Sequence, residues 1–224
     1  MENPWLTFDP EVDAPKFHDL DRAHAEAFNK GIEARHEYRL AAHLEPFPYI
    51  GNPLANTFVL LANPGVNENE ARPDFRMNPM RLDQNRRNLR HEDSSSILTK
   101  ILSPDNPELE DKWLKPRIRK IVHDSSLARV SEGIFLVNYH AYNSKSWHAI
   151  PFTFETQRYS FHLVNEAIRR NALIIMKRNM LGWFTAIPGL YDFKNRVIFK
   201  SSRSVHISEE NLGIEAYKEL RMRL

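Results

Sequence analysis

The stretch Phe58-Val59-Leu60-Leu61-Ala62-Asn63-Pro64-Gly65 decides the fold. Its five apolar residues are too few for most helices and suit a strand buried on both faces. Asn-Pro-Gly then stops the run, because proline fixes φ and glycine and asparagine accept turn geometry. Three more runs have this form: Ile134-Phe135-Leu136-Val137, Leu173-Ile174-Ile175-Met176 and Val197-Ile198-Phe199. Helical patterns lie around them. They cover residues 19–38, with Asp19 or Asp21 as cap, and residues 79–90, 98–102, 180–186 and 211–223. Another helix begins after Thr156, with Phe161, Val164 and Ile168 on one face. Trp113, Ile118 and Ile121 mark one more, interrupted near Pro116. The proline-rich stretch 46–53 reads as a loop.

Four buried strands alternating with helices predict an α/β fold, a three-layer α/β/α arrangement with a central four-stranded parallel sheet. Such sheets place their ligands beyond the carboxyl ends of the strands. The loops beginning at Asn63, Asn138, Lys177 and Lys200 are therefore where function is expected. Residues 1–45 read as an acidic helical arm packed on a domain spanning 46–224.

Composition narrows the chemistry. The 224 residues include no cysteine, which excludes disulfides, thiolate nucleophiles, thiolate zinc sites and iron–sulfur clusters. No run reaches the roughly 18 apolar residues of a membrane helix, and the start Met1-Glu2-Asn3-Pro4-Trp5 lacks the pattern of a signal peptide. A cytosolic protein, acting as a monomer, is expected. Net charge is +2, but residues 1–71 carry −7 (5 Lys/Arg, 12 Asp/Glu) and residues 72–224 carry +9 (26 and 17). A basic portion behind an acidic arm suits a polyanionic partner, although solvated faces carry such excesses too.

The first strand end, Ala62-Asn63-Pro64-Gly65, resembles the G-I-N-P-G motif of the mismatch-specific and thymine-DNA branches of the uracil-DNA glycosylase superfamily. Residues 46–213 fit that pattern. The resemblance implies a uracil-DNA-glycosylase-like fold and a monofunctional DNA glycosylase that flips a base from DNA, needs no cofactor or metal, and leaves an abasic site. It implies that Asn63 positions the attacking water. It also implies that Phe75 stacks on the flipped base and that Asn138 reads it at the second strand end. Ala62, Gly65 and His140 complete the expected base-binding set. The final motif of the family follows the fourth strand, where Lys200, Ser202, Arg203 and Ser204 are expected to meet the DNA backbone. The usual His-Pro-Ser is absent there, and His206 takes the place of the family histidine only if the loop runs differently.

The chemistry agrees with these residue types. Breaking an N-glycosidic bond builds positive charge on the sugar and negative charge on the departing base, and requires a held water. A neutral amide cannot act as a carboxylate base, but its carbonyl accepts a hydrogen bond from water. His140 and His206 are candidate donors to the leaving base. Tyr139, Tyr142 and Trp147 line a pocket or simply pack. Arg86-Arg87 and Lys177-Arg178 meet phosphates or are solvated charge. Gly65 leaves open the volume that the tyrosine of uracil-specific members fills, so larger pyrimidines are admitted, including bulky modified bases of bacteriophage DNA. Repair and antiviral defence both remain open.

Three rivals are weighed. A zinc hydrolase lacks His-Glu-x-x-His, and His140 with His148 has no evident third ligand. A nucleotide-binding protein lacks both the P-loop and G-x-G-x-x-G. A non-catalytic DNA-binding module on the same fold is the nearest alternative, because of the irregular last motif.

Overall fold

A computed structural model describes residues 1–9, 11, 15–33, 36–94, 96–103, 105, 114–201, 204 and 206–224. Its centre is a five-stranded sheet, β1 (Tyr49–Gly51), β2 (Thr57–Leu60), β3 (Ile134–Val137), β4 (Leu173–Met176) and β5 (Arg196–Ile198), ordered β1-β3-β2-β4-β5. The four apolar runs form the parallel part. Leu60 pairs with Val137 on one side and Met176 on the other, so three strands end level with one another.

The sheet is mixed rather than purely parallel, which corrects the four-stranded expectation. β1 runs antiparallel to β3, with Tyr49 opposite Val137 and Gly51 opposite Phe135. Pro46, Pro48 and Pro53 hid it in the sequence. Proline is tolerated beside a short edge strand, where a ladder donor is dispensable. Gly51 is required there: its φ is +108°, and a Cβ would lie 2.5 Å from the Ile134 carbonyl oxygen.

Helices α1 (Asp19–Lys30), α2 (Pro79–Leu89), α3 (Ile97–Leu102), α4 (Lys115–Asp124), α5 (Leu127–Gly133), α6 (Gln157–Arg169), α7 (Met180–Ala186), α8 (Glu209–Leu212) and α9 (Ile214–Arg223) surround the sheet. Alternate strand residues feed two cores, as the period of two demands. Phe58, Leu60, Phe135, Val137, Ile174 and Met176 pack with Val164 of α6 and Trp183 of α7. Val59, Leu61, Ile134, Leu136 and Ile175 pack with α3, α4, α5 and α9 through Leu98, Ile121, Val130 and Leu220. Helices thus cover both faces of the sheet.

Some helix limits differ from the sequence reading. α1 ends at Lys30, and its cap is His18, whose Nδ1 accepts from the Leu20 N–H. Asp21 instead points inward, accepting from Tyr142 Oη at 2.6 Å and from the Thr156 N–H. Pro116 opens α4 rather than breaking it, because the first turn of a helix has no use for the missing N–H; Trp113 lies outside the described residues. The C-terminal helix is two helices, divided at Gly213 with φ +88°. The N-terminal segment is stitched into the body: Trp5 and Phe8 are buried in the first core, and Asn3 Nδ2 donates to the Leu89 carbonyl at 2.8 Å. No helix among the described residues is long and apolar enough to cross a membrane.

Candidate active site

The strand ends are bound to one another beyond the ladder. The Leu61 N–H donates to the Val137 carbonyl and the Lys177 N–H to the Leu60 carbonyl. The Tyr139 N–H donates to the Ala62 carbonyl at 2.9 Å, and buried Trp183 donates its indole N–H to the Leu61 carbonyl at 2.9 Å. These bonds hold the first three strand-end loops in fixed register. A cleft of about 450 Å³ opens between them, lined by Ala62, Asn63 and Gly65, by Trp147, and by Arg117, Lys145, Lys177 and Arg178.

Asn63 is half-buried on the cleft wall. Its Nδ2 donates to Ser144 Oγ at 2.8 Å and to the Pro64 carbonyl at 3.2 Å. Ser144 Oγ spends its single proton on the Ser146 carbonyl at 2.9 Å, so toward Asn63 it acts only as acceptor. That fixes the amide: the NH2 faces Ser144 and the carbonyl oxygen is directed away from it. A parallel bridge between Gly65 and Ser144 keeps the two loops side by side. Ser144 carried no sequence signal, because it lies far from Asn63 along the chain.

The cations concentrate positive potential in the cleft. Burial, then the charges of Arg117 and Arg178, lower the Lys177 ammonium to a pKa of about 7. Its Nζ sits 5.7 Å from the centre of the Phe199 ring. Lys145 reaches Glu68 at 2.8 Å, and Arg178 is exposed at the rim. Glu70, on the wall shared with the neighbouring chamber, is a carboxylate that sequence reasoning passed over.

That chamber, of about 80 Å³, lies beyond Gly65 and Val66. Its apolar walls include Phe47, Met77, Ile97 and Ile101, and its polar groups include Glu45, Gln84, Asn85 and Asn143. The Glu45 side chain is fully buried and accepts from Arg86 at 2.8 Å. Its backbone carbonyl accepts from Asn143 Nδ2 at 3.0 Å.

The other expected residues fall in several places. Ala62 and Gly65 line the cleft with Asn63. Asn138 is buried, donating to the Phe47 carbonyl at 2.8 Å while its Oδ1 has no partner, and it stands behind the cleft rather than on its lining. His140 is buried against Trp147, with ring centres 5.3 Å apart. Burial lowers its pKa to about 3, so it is neutral; Nδ1 accepts from the Tyr142 N–H, which leaves the proton on Nε2. Phe75 is half-exposed on the loop before α2 and lines neither cavity. His206 is exposed and donates from Nδ1 to the Pro116 carbonyl at 2.7 Å, and it is not among the residues that line the cleft. Lys200 is exposed after β5, whereas Ser204 Oγ accepts from Asn211 Nδ2 and closes its own loop. Ser202 and Arg203 lie outside the described residues.

Tyr139 packs against the first core and Tyr142 in a separate cluster with Phe17, Ala25, Leu40 and Phe154, and of the three aromatics Trp147 lines the cleft. Arg86 is held by Glu45 and Glu11, and Arg87 by Asp93 and Glu92, so their role is structural ion pairing. Among the described residues, no three His, Asp or Glu side chains converge as a metal-binding group.

Chemically, the arrangement offers a rigid neutral acceptor on a cleft rich in cations, beside a smaller and mostly apolar chamber. No protein-family model, no curated protein and no solved structure matches the chain.

Proposed function

We propose that this chain is a monofunctional DNA glycosylase of the uracil-DNA glycosylase type, acting in the cytosol as a monomer without a cofactor. The observation that carries the reading is the Asn63 amide, whose NH2 is held by Ser144 so that its carbonyl oxygen is turned away from Ser144, on a residue that lines a cleft rich in cations. Arg117, Lys145, Lys177 and Arg178 bind the phosphates around an extruded nucleotide. The carbonyl of Asn63 holds a water against C1′ of the deoxyribose. As the C1′–N bond breaks, its electron pair leaves with the base, and water oxygen bonds to C1′. Positive groups in a partly desolvated cleft stabilise the developing negative charge on the base. The water proton ends on the released base.

The substrate class is an abnormal or modified base, a pyrimidine, with C5 substituents accommodated past Gly65. Digestion of duplex oligonucleotides carrying a panel of modified pyrimidines, and of phage genomes with modified DNA, tests this. Abasic sites that become nicked by alkali support it. Borohydride should trap no protein–DNA adduct, although Lys145 and Lys177 line the cleft. DNA binding without abasic product on every substrate favours a non-catalytic DNA-binding module. The position of His206, exposed and tied to Pro116, is the observation on that side.

A further inference from the structure

We infer that Trp147 is the platform on which the extruded base stacks, taking the role expected of Phe75. This rests on the glycosylase reading and names the residue that positions its base.

A flipped base needs an aromatic or apolar face to replace the neighbours it loses in the duplex. Phe75 lies on neither cavity lining. Among the described residues that line the cleft, Trp147 is the one aromatic, and it shares that lining with Asn63. It is half-buried, so part of it stays accessible.

The ring is braced. His140 stacks on it, with centres 5.3 Å apart and planes 24° from parallel. Tyr139 meets it at close to a right angle, with 6.0 Å between centres. Both braces are themselves fixed. His140 is buried and its Nδ1 accepts from the Tyr142 N–H, while the Tyr139 N–H donates to the Ala62 carbonyl. No second ring among the described residues stacks on the indole, so a flat ligand in the cleft has a face to lie on. A ring already held in place loses little freedom when a base settles on it.

The platform and the water-holding amide are tied together. Asn63 Nδ2 donates to Ser144 Oγ, and Ser144 Oγ donates to the Ser146 carbonyl, which belongs to the peptide bond leading into Trp147. Ser146 is anchored in turn, its N–H to the Glu37 carbonyl at 3.0 Å and its Oγ to Glu37 Oε2 at 2.8 Å. One loop therefore sets both where the water is held and where the base rests.

The surroundings suit a nucleotide. Arg117, Lys145, Lys177 and Arg178 stand on the same lining against the Glu70 carboxylate, whose Oε2 accepts from the Asn67 N–H at 3.0 Å. Glu68, which is not on the lining, pairs with Lys145. A cationic groove with an aromatic face binds phosphate and base together, and stacking has little preference among bases. Trp147 thus holds the base and leaves the choice among bases to other groups.

The test uses the full chain labelled with 5-fluorotryptophan and short duplexes whose central nucleotide is a 2′-fluoroarabino analogue that resists cleavage. The panel carries uracil, 5-hydroxymethyluracil or 5-hydroxymethylcytosine opposite guanine, with a tetrahydrofuran abasic duplex as control. Trp147→Phe identifies the Trp147 fluorine signal. At least one base of the panel should move that signal upfield, and the control should not. Trp147→Leu should keep its fold, bind that base-bearing duplex at least about fivefold more weakly, and bind the control unchanged. Trp147→Phe should regain most of the affinity, and Phe75→Leu should lose none. In base release, Trp147→Leu should raise KM with kcat little changed, and the ranking of bases should stay the same. A Trp147 signal that ignores the base across the panel, or full base-dependent affinity in a folded Trp147→Leu protein, overturns the assignment. A base-dependent signal with no abasic product from any DNA leaves the platform standing and removes the glycosylase reading. Base release with an unchanged KM in Trp147→Leu does the reverse.

Discussion

Asn63 and Ser144 form a one-way hydrogen bond: the amide nitrogen of the first donates to the hydroxyl oxygen of the second at 2.8 Å, and the hydroxyl proton is committed to Ser146. The consequence is orientational. Without the Ser144 hydroxyl, the Asn63 amide keeps only the longer contacts to the Pro64 carbonyl at 3.2 Å and the residue-144 carbonyl at 3.5 Å, and its two ends become easier to exchange. Ser144→Ala should lower kcat on the order of tenfold to a hundredfold with KM little changed, the cost of a mispositioned reacting group. Ser144→Thr should restore most of it. A kcat equal to wild type in Ser144→Ala would show that the clamp does not matter to the reaction.

Gly65 separates the chamber from the cleft. Among the described residues, the glycines with positive φ are Gly51 and Gly213, so the turn at Gly65 does not demand glycine for its backbone angles. Gly65→Ala should therefore fold with a Tm within a few degrees of wild type. Gly65→Tyr should suppress release of bulky C5-substituted bases more than release of small ones. A stable Gly65→Tyr protein with an unchanged ranking of bases contradicts the volume argument.

Lys177 makes DNA affinity depend on pH. Its pKa is lowered to about 7 by burial and by Arg117 and Arg178, so it is charged below pH 7 and neutral above. Affinity for duplex DNA should weaken as pH rises from 6 to 8, beyond what exposed lysines produce. Lys177→Met should remove most of that dependence and reduce the salt slope by about one charge. Fluorescence anisotropy over pH and salt measures both, and identical profiles for the two proteins would exclude Lys177 from phosphate binding.

His140 gives stability its own pH dependence. The folded pKa, about 3, lies below the ordinary value near 6.5. The unfolded chain therefore binds the extra proton first as pH falls. Stability is full above about pH 6.5 and is lost progressively toward pH 3, by roughly 2 kcal/mol between pH 7 and pH 5 for this residue. His91, lowered to about 4 by burial, acts in the same direction. Urea unfolding at several pH values checks the slope, which should flatten in His140→Gln. A flat wild-type profile between pH 7 and pH 5 would contradict it.

The sequence was readable where interactions are local or periodic. Four apolar runs became four parallel strands, and Asn63 stands at a strand end because a strand followed by Asn-Pro-Gly has little alternative. β1 was not readable, since three residues between prolines carry no period, and its pairing with β3 spans more than eighty positions. The site divides in the same way. Asn63, Gly65, Lys177 and Trp147 could be found from strand ends. Ser144 could not, because its place beside Asn63 depends on a contact between distant parts of the chain. His206 illustrates the converse: a histidine in an expected motif is held by the Pro116 carbonyl and does not line the cleft.

The most direct measurement is single-turnover base release from duplex DNA containing a modified pyrimidine, comparing wild type with Asn63→Ala at equal, saturating enzyme. The account predicts abasic sites from the wild type and a rate lower by roughly two orders of magnitude or more in the variant, with DNA affinity within a few-fold. Equal rates in the two proteins, or no abasic product from the wild type on any modified pyrimidine, would contradict it.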